Sequence, residues 1–409
     1  MARSGVGFMA GVVVGVIVMA RLGPREGESA LHEPEASSRL YPINQTGSNT
    51  SHSSSPSMAA EVLDAESAQN KSLPLDKTRL TTLLANSWMR PGLKSFSRLL
   101  QDHDVRACIS SITKGYWLAD VFVSQSPLKC GFRMFDWRQA HEIMNGKHLS
   151  LNGDSLTRRL TNTFDVLLSS QKGFRSIANS KLSTGWHDQL HREYKQRNRS
   201  SSLHFFWNEG VYVHGPGKCH VVRRAGEAYT QVMLGYGLHH VIDHGSRCVG
   251  ECPDRFVLCL QTAVCDLCSM GKTPHGIWRT APYSSGSNIV PAIRAVNNIA
   301  KSLLFVNGSV WESAKIASWK ASPSITSFGV SRQTADRAVR AMQACCGERG
   351  RSKRKLNIYL LDHEQLLLDR SQGSNRITGD TENHFGDAAR VAEVQTLLNL
   401  LRLIDLDER

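Results

Sequence analysis

A few stretches of the chain carry decisive patterns of apolar and polar positions. Ser4–Ala20 holds no charged side chain and is built largely of Gly, Val, Met, Ile, Phe and Ala; as a helix it would span about 25 Å. Pro42–Ala59 is its opposite, mostly Ser, Thr, Asn, Gly and Pro, with almost nothing to bury against the cost of ordering. In the body, Leu149 and Leu151 alternate as on a short strand that stops at Asn152-Gly153. Leu156, Leu160, Phe164 and Leu167 then recur at helical spacing, with Arg158, Arg159 and Asn162 between them. Leu356–Asp362 reads as a buried strand. Ala388–Ile404 reads as a helix with Val391, Val394, Leu397, Leu398 and Leu401 on its apolar face.

Composition sets the scale. The chain has 409 residues, 41% hydrophobic and 21% charged, which excludes wholesale disorder and fibrous repeats. A body this long buries enough surface to need neither metal nor disulfide for its core. The net charge of +13 is uneven: residues 1–78 hold six Lys/Arg and eight Asp/Glu, so the rest carries +15. A basic body suits an anionic glycan, a membrane surface or nucleic acid, and charge alone does not choose among them.

The N-terminal run has two readings: a signal anchor, favoured by its length, or a cleavable signal peptide ending at Val18-Met19-Ala20. Arg3 and the free amine nearly balance Arg21 and Arg25, so the flanks do not decide. Either way the body faces the lumen. Asn-x-Ser/Thr sequons stand at Asn44, Asn49, Asn70, Asn198 and Asn307, and all ten cysteines lie beyond the apolar run. An even cysteine count in a secretory context predicts disulfides without giving their pairing. The expected layout is a signal anchor over residues 1–22, a disordered glycosylatable stem over 23–78 and a body over 79–409. It is the layout of a single-pass type II protein of the Golgi or another secretory membrane, or of a secreted protein if the segment is cleaved.

The strand, glycine turn and helix around Asn152-Gly-Asp-Ser155 place Ser155 at the carboxyl edge of a sheet. There the helix N-terminus offers N–H groups and a positive dipole to a developing oxyanion. Ser155 would be a nucleophile; the simpler reading is a helix cap. A serine nucleophile needs a base, and Gly379-Asp380-Thr-Glu-Asn-His384-Phe-Gly386 offers His384 on a loop just before the terminal helix. A carboxylate a few residues upstream can orient its ring.

Several blocks carry a family resemblance. Cys130-Gly-Phe-Arg-Met-Phe-Asp136-Trp, Asn145-Gly-Lys147 and Asn152-Gly-Asp-Ser155-Leu-Thr-Arg158 resemble the first block of the PC-esterase and trichome-birefringence-like proteins of the SGNH (GDSL-type) hydrolase superfamily. Gly379-Asp380…His384-Phe…Leu397-Leu-Asn399-Leu-Leu is similar to their closing block. Val232-Met-Leu-Gly-Tyr-Gly237-Leu-His-His240, then Trp278-Arg279-Thr280-Ala-Pro282 and Asn297-Asn298, resemble the blocks between, in the same order over about residues 108–404. The resemblance implies a three-layer α/β/α sandwich with a mostly parallel sheet, Ser155 as nucleophile and His384 as base. It implies an oxyanion hole from the Ser155 N–H and Gly237. Thr381 stands where the family has its acid, so Asp380 is expected in that role, with Glu382 as substitute. Gly235 stands where relatives often carry an oxyanion-hole Asn. Asp154, Arg158, His239, His240 and Arg279 are the expected substrate-binding residues.

The implied chemistry is O-acyl, chiefly O-acetyl, transfer or ester hydrolysis on a glycan. No cofactor is expected beyond an acetyl donor such as acetyl-CoA if the enzyme is a transferase. The expected partners are a glycan and the membrane, without nucleic acid; oligomeric state is not legible. The alternative is a non-catalytic glycan-binding relative. His240, His244, Cys248 and Cys252 near Cys265-x-x-Cys268 could hold zinc, but disulfides are the default in an oxidising lumen, and no metal site is expected. Arg349-Gly-Arg-Ser-Lys-Arg-Lys355 reads as a solvated basic loop or a contact for an anionic glycan.

Overall fold

The computed structural model describes residues 105–408 apart from 119–120, 127–129, 170–189, 197–198, 209–218, 223–227, 237–251, 271–274, 283–289, 348–354 and 369–384. The expected anchor over 1–22 and stem over 23–78 lie outside the described residues. Among those described, no helix is long and apolar enough to cross a membrane.

In chain order the elements are α1 (Val105–Ser111), β1 (Gly115–Leu118), β2 (Val121–Ser124), α2 (Trp137–Met144), β3 (His148–Gly153), α3 (Ser155–Ser169), β4 (Leu190–Gln196), β5 (Arg199–Trp207), β6 (Gln231–Gly235), α4 (Cys252–Ser269), β7 (His275–Arg279), α5 (Val290–Leu304), β8 (Val310–Glu312), α6 (Arg332–Cys346), β9 (Asn357–Leu361), α7 (His363–Leu367) and α8 (Asp387–Asp407). Two 3₁₀ segments, Ser313–Ser318 and Pro323–Phe328, precede α6.

β1 and β2 form a separate antiparallel hairpin, and the main sheet runs β4-β5-β3-β6-β7-β9-β8. The pairs β5–β3, β3–β6, β6–β7 and β7–β9 are parallel, while the edge strands β4 and β8 run antiparallel to their neighbours. Parallel strands need both faces covered, and this sheet has helices on both. Met233, Ile277, Tyr359 and Leu361 point to one face, packed with α1, α2, α3 and α8. Val232, Leu234, Trp278 and Ile358 point to the other, packed with α4, α5 and α6. The fold is therefore α/β, with a mostly parallel central sheet between helices, in line with what the resemblance implies.

Numbered along the chain, the five parallel strands stand in the order 2-1-3-4-5. The order reverses between β3 and β6: α3, which follows β3, covers one face, and α4, which follows β6, covers the other. In doubly wound sheets such a reversal opens a crevice at the carboxyl ends of the strands, the place where ligands bind.

α8 departs from the sequence reading. Val394, Leu397, Leu398 and Leu401 are core, but Glu393, Gln395, Thr396, Asn399 and Arg402 are buried as well, so the helix has little solvated face. The polar side chains hold an irregular segment through its main chain. Gln395 accepts from the Phe135 N–H (2.7 Å) and donates to its carbonyl (3.0 Å). Asn399 does the same for Arg133 at 3.1 and 2.8 Å, and Arg402 donates to the Cys130 and Gly131 carbonyls. These bonds satisfy backbone groups that no strand partner reaches. They join two sequence blocks more than 250 residues apart.

Among the described residues the disulfides are Cys108–Cys130, Cys219–Cys259, Cys265–Cys345 and Cys268–Cys346. Cys265 and Cys268, one turn apart on α4, each reach α6, so the Cys-x-x-Cys spacing serves a double helix-to-helix bridge rather than zinc. No cluster of three metal-ligating side chains occurs among the described residues. The bridges fit a secreted or lumenal protein.

Candidate active site

Ser155 is the first residue of α3. The Asp154 carbonyl accepts the Arg158 N–H (2.9 Å), the first bond of the helix, and the Asp154 carboxylate accepts the Leu156 N–H (2.9 Å). Asp154 is thus the N-cap, and it holds the turn that presents Ser155. Ser155 is half-buried, directly beyond the carboxyl end of β3. The expectation that Asp154 contacts substrate is corrected: it is 2% exposed and capping the helix.

The crevice floor is made by two glycines. Gly153 ends β3, Gly235 ends β6, and the two are register partners. Thr157, one turn into α3, lies across both, its hydroxyl donating to the Gly235 carbonyl (3.4 Å). A Cβ at Gly235 would come within 2.5 Å of the Thr157 Oγ1, and one at Gly153 would collide with Thr157 and approach the Gly235 carbonyl at 2.7 Å. A side chain at Gly235 would therefore have to displace Thr157.

One wall is pinned from several directions. Buried Asn152 accepts the Val222 N–H (2.8 Å), and Asn208, at the end of β5, donates to the His220 carbonyl (3.0 Å) and the Tyr236 hydroxyl (3.1 Å). The Cys219–Cys259 bridge ties the same segment to α4. Asn208 was not singled out from sequence; a lone Asn after an apolar strand carries no distinguishing signal.

Behind the crevice lies a buried charge network. Arg279, at the end of β7, donates from Nη2 to Glu393 Oε1 (2.5 Å) and from Nε to His363 Nδ1 (2.6 Å). His363 Nδ1 is also 2.9 Å from Glu393 Oε1. Burial alone would raise the Glu393 pKa, but the charge of Arg279 outweighs it and holds the carboxyl well below its ordinary value. For His363 burial dominates and pushes the pKa below its ordinary value against the opposing pull of Glu393. The neutral form is the consistent one, because Nδ1 accepts the Arg279 N–H and cannot also carry a proton. The ion pair is thus Arg279–Glu393, with His363 as a neutral acceptor. Arg279, expected to bind substrate, has a side chain 2% exposed and engaged by Glu393 and His363.

Arg158 is less enclosed. It is partly exposed and lies over the Trp207 ring, 5.3 Å from its centroid, at the end of β5. Arg159 and Arg390 add positive charge beside it. Burial, then the neighbouring Arg158, lowers the Arg159 pKa; burial, then Arg159, lowers that of Arg390, with Glu393 opposing. Arg158 and Arg159, about a turn beyond Ser155 on α3, and Arg390, in the first turn of α8, are thus electrostatically linked in series.

Gly237, His239, His240, Asp380, Glu382 and His384 lie outside the described residues. The described geometry brings Asp154, Ser155 and Arg158 together and sets Arg279 beneath them: its guanidinium would be 3.7 Å from a Cβ at Gly235. No protein-family model matches the chain, and no curated protein matches its sequence.

Proposed function

We propose that this chain is a serine-dependent acyl-transfer enzyme of the SGNH type, moving an O-acyl group, chiefly acetyl, from or onto a glycan in the secretory pathway. In this reading Ser4–Ala20 anchors the body in a Golgi or related membrane. The observation that carries the proposal is the position of Ser155: first residue of a helix, at the carboxyl end of a central parallel strand, at the point where strand order reverses. A helix N-terminus there stabilises negative charge developing on a substrate carbonyl oxygen, and the arginines of α3 and α8 add to the same field.

The chemistry runs in two halves. Ser155 Oγ attacks the ester carbonyl while His384 takes its proton; the tetrahedral intermediate collapses, and the leaving alcohol takes that proton back. The acyl-serine is then attacked by water, releasing the acid, or by a sugar hydroxyl, forming a new ester. Asp380 orients the imidazole.

The test is covalent labelling. A fluorophosphonate probe should modify wild-type protein on Ser155 and leave Ser155→Ala unmodified. An acetyl-ester reporter, with and without oligosaccharide acceptors, then separates hydrolysis from transfer. Full turnover by Ser155→Ala would end the proposal.

A further inference from the structure

A second concave site lies beyond edge strand β8, four strand positions and about 19 Å across the sheet from β3. It is a cleft of about 330 Å³ between the turn after α5, the segment Ser313–Ser322 and the first residue of α6. That volume is at the small end of the range of about 300–1,000 Å³ for small-ligand sites, with room for a sugar residue and its substituent.

Its chemistry is one-sided. Lys315, Lys320 and Arg332 line the cleft and, among the described residues, no acidic side chain does. All three are exposed. Lys315 is ion-paired with Glu312, but that carboxylate is also held by Arg106 at 2.9 and 3.0 Å. Arg332 pairs with Asp336 at 3.2 Å. Lys315 and Arg332 are the exposed members of these pairs, and surface ion pairs are weak, so a ligand anion can replace the protein carboxylate at little cost. Lys320 has no ion pair among the described residues. Lys355, exposed, directly precedes Leu356, which exchanges hydrogen bonds with Ser313 at 2.8 and 2.9 Å.

The remaining lining suits a saccharide. Val306, 39% exposed and one of the few large apolar side chains left in water, offers an apolar surface to the C–H face of a sugar ring, and Asn307 offers an amide beside it. We infer that this cleft binds an anionic sugar residue, sulfated or carboxylated, within an oligosaccharide. The site extends beyond the acyl-transfer reading and does not depend on Ser155. The experiment reads binding rather than turnover, so either idea can fail alone.

Fluorescein-labelled heparin hexasaccharide, hexagalacturonate and neutral maltohexaose are titrated into the full chain, with anisotropy as readout, at 50 and 150 mM NaCl. The first two arms separate sulfate from carboxylate recognition. Because Asn307 begins a sequon, Asn307→Gln is titrated in parallel to remove any glycan at the rim. At least one anionic hexasaccharide should bind wild type or Asn307→Gln, more weakly at the higher salt, and the neutral one should not. Lys315→Gln/Lys320→Gln/Arg332→Gln should weaken that binding at least tenfold. An equal change of charge elsewhere, Lys114→Gln/Arg138→Gln/Arg192→Gln, should weaken it less than twofold. Equal losses in the two triple variants would mean a diffuse field rather than a site. That result, equal binding of the neutral sugar, or no anionic binding by either wild type or Asn307→Gln, overturns the inference.

Discussion

Removing the carboxylate of Glu393 is the most direct probe of the network beneath the crevice. The residue is 4% exposed and bonded to Arg279 at 2.5 Å. Its pKa falls from an ordinary 4.5 to about 2. At 1.36 kcal/mol per pH unit, that difference contributes about 3 kcal/mol to folding. The sign follows from the depressed folded value: the contribution is complete above pH 4.5 and is lost as pH falls toward 2. Glu393→Gln keeps the shape and deletes the charge, leaving Arg279 buried without its counter-ion; breaking such a pair from one side costs about 3–5 kcal/mol. Urea unfolding of the oxidised protein at pH 7 should therefore show a loss of at least about 3 kcal/mol. The gap between wild type and variant should narrow on going from pH 5 to pH 3. Replacing both partners with apolar residues, Arg279→Met/Glu393→Leu, should cost less than the single change, since no charge is then stranded. A Glu393→Gln protein within 1 kcal/mol of wild type, or a gap constant from pH 7 to 3, would refute this account of the network.

Other outcomes follow from single features. His363 is held neutral, so stability should fall as pH drops through 6.5, where the unfolded chain begins to take up the proton; His363→Gln should flatten thermal stability between pH 6.5 and 5. Gly235→Ala should destabilise by about 1–3 kcal/mol through overpacking, and Thr157→Ala in the same chain should restore most of it, because Thr157 Oγ1 is the atom the new methyl meets; thermal melts of the four proteins check this. The paired bridges should be strongly non-additive. With Cys265–Cys345 intact, Cys268–Cys346 closes a ring of only a few residues, so Ala at both ends of one bridge should cost about 2 kcal/mol. Removing both frees loops of 80 and 78 residues and should cost about 6 kcal/mol, read by urea unfolding without reductant.

Much of the fold was legible because the decisive elements are locally periodic. The alternation at Leu149 and Leu151 marks β3, the spacing from Leu156 to Leu167 marks α3, and the apolar run at Leu356 marks β9. α8 was legible as a helix, but its polar residues were not legible as buried. Periodicity assigns Glu393, Gln395 and Asn399 to a solvated face, whereas they are enclosed and bonded to partners distant in sequence. Such partners have no local signature. Arg279 was misassigned for the same reason, since its counter-ion lies 114 residues away. The glycine of Gly235 likewise reads as a lost Asn until Thr157 is seen lying on it.

These misreadings share a location, and that bears on the site. Arg279 ends β7, Gly235 ends β6, and Glu393 and Arg390 come from the beginning of α8; each meets α3 or its neighbours at the carboxyl edge of the sheet. A serine used only as a cap would need none of this, because Asp154 already caps the helix. The chain instead places a buried arginine–glutamate pair, a neutral histidine and two glycines along the same edge of the sheet as that half-buried serine. Low-dielectric surroundings of that kind strengthen fixed charges near a reacting group. They also restrain α3: Thr157 cannot shift away from Gly153 and Gly235 without moving the turn that carries Ser155. If Ser155 is the nucleophile, Thr157→Val should lower turnover of an acetyl-ester reporter more than it lowers the melting temperature would suggest, because the isosteric methyl keeps the packing and removes only the hydroxyl bond to Gly235. An activity that simply tracks the folded fraction would separate the crevice floor from the chemistry.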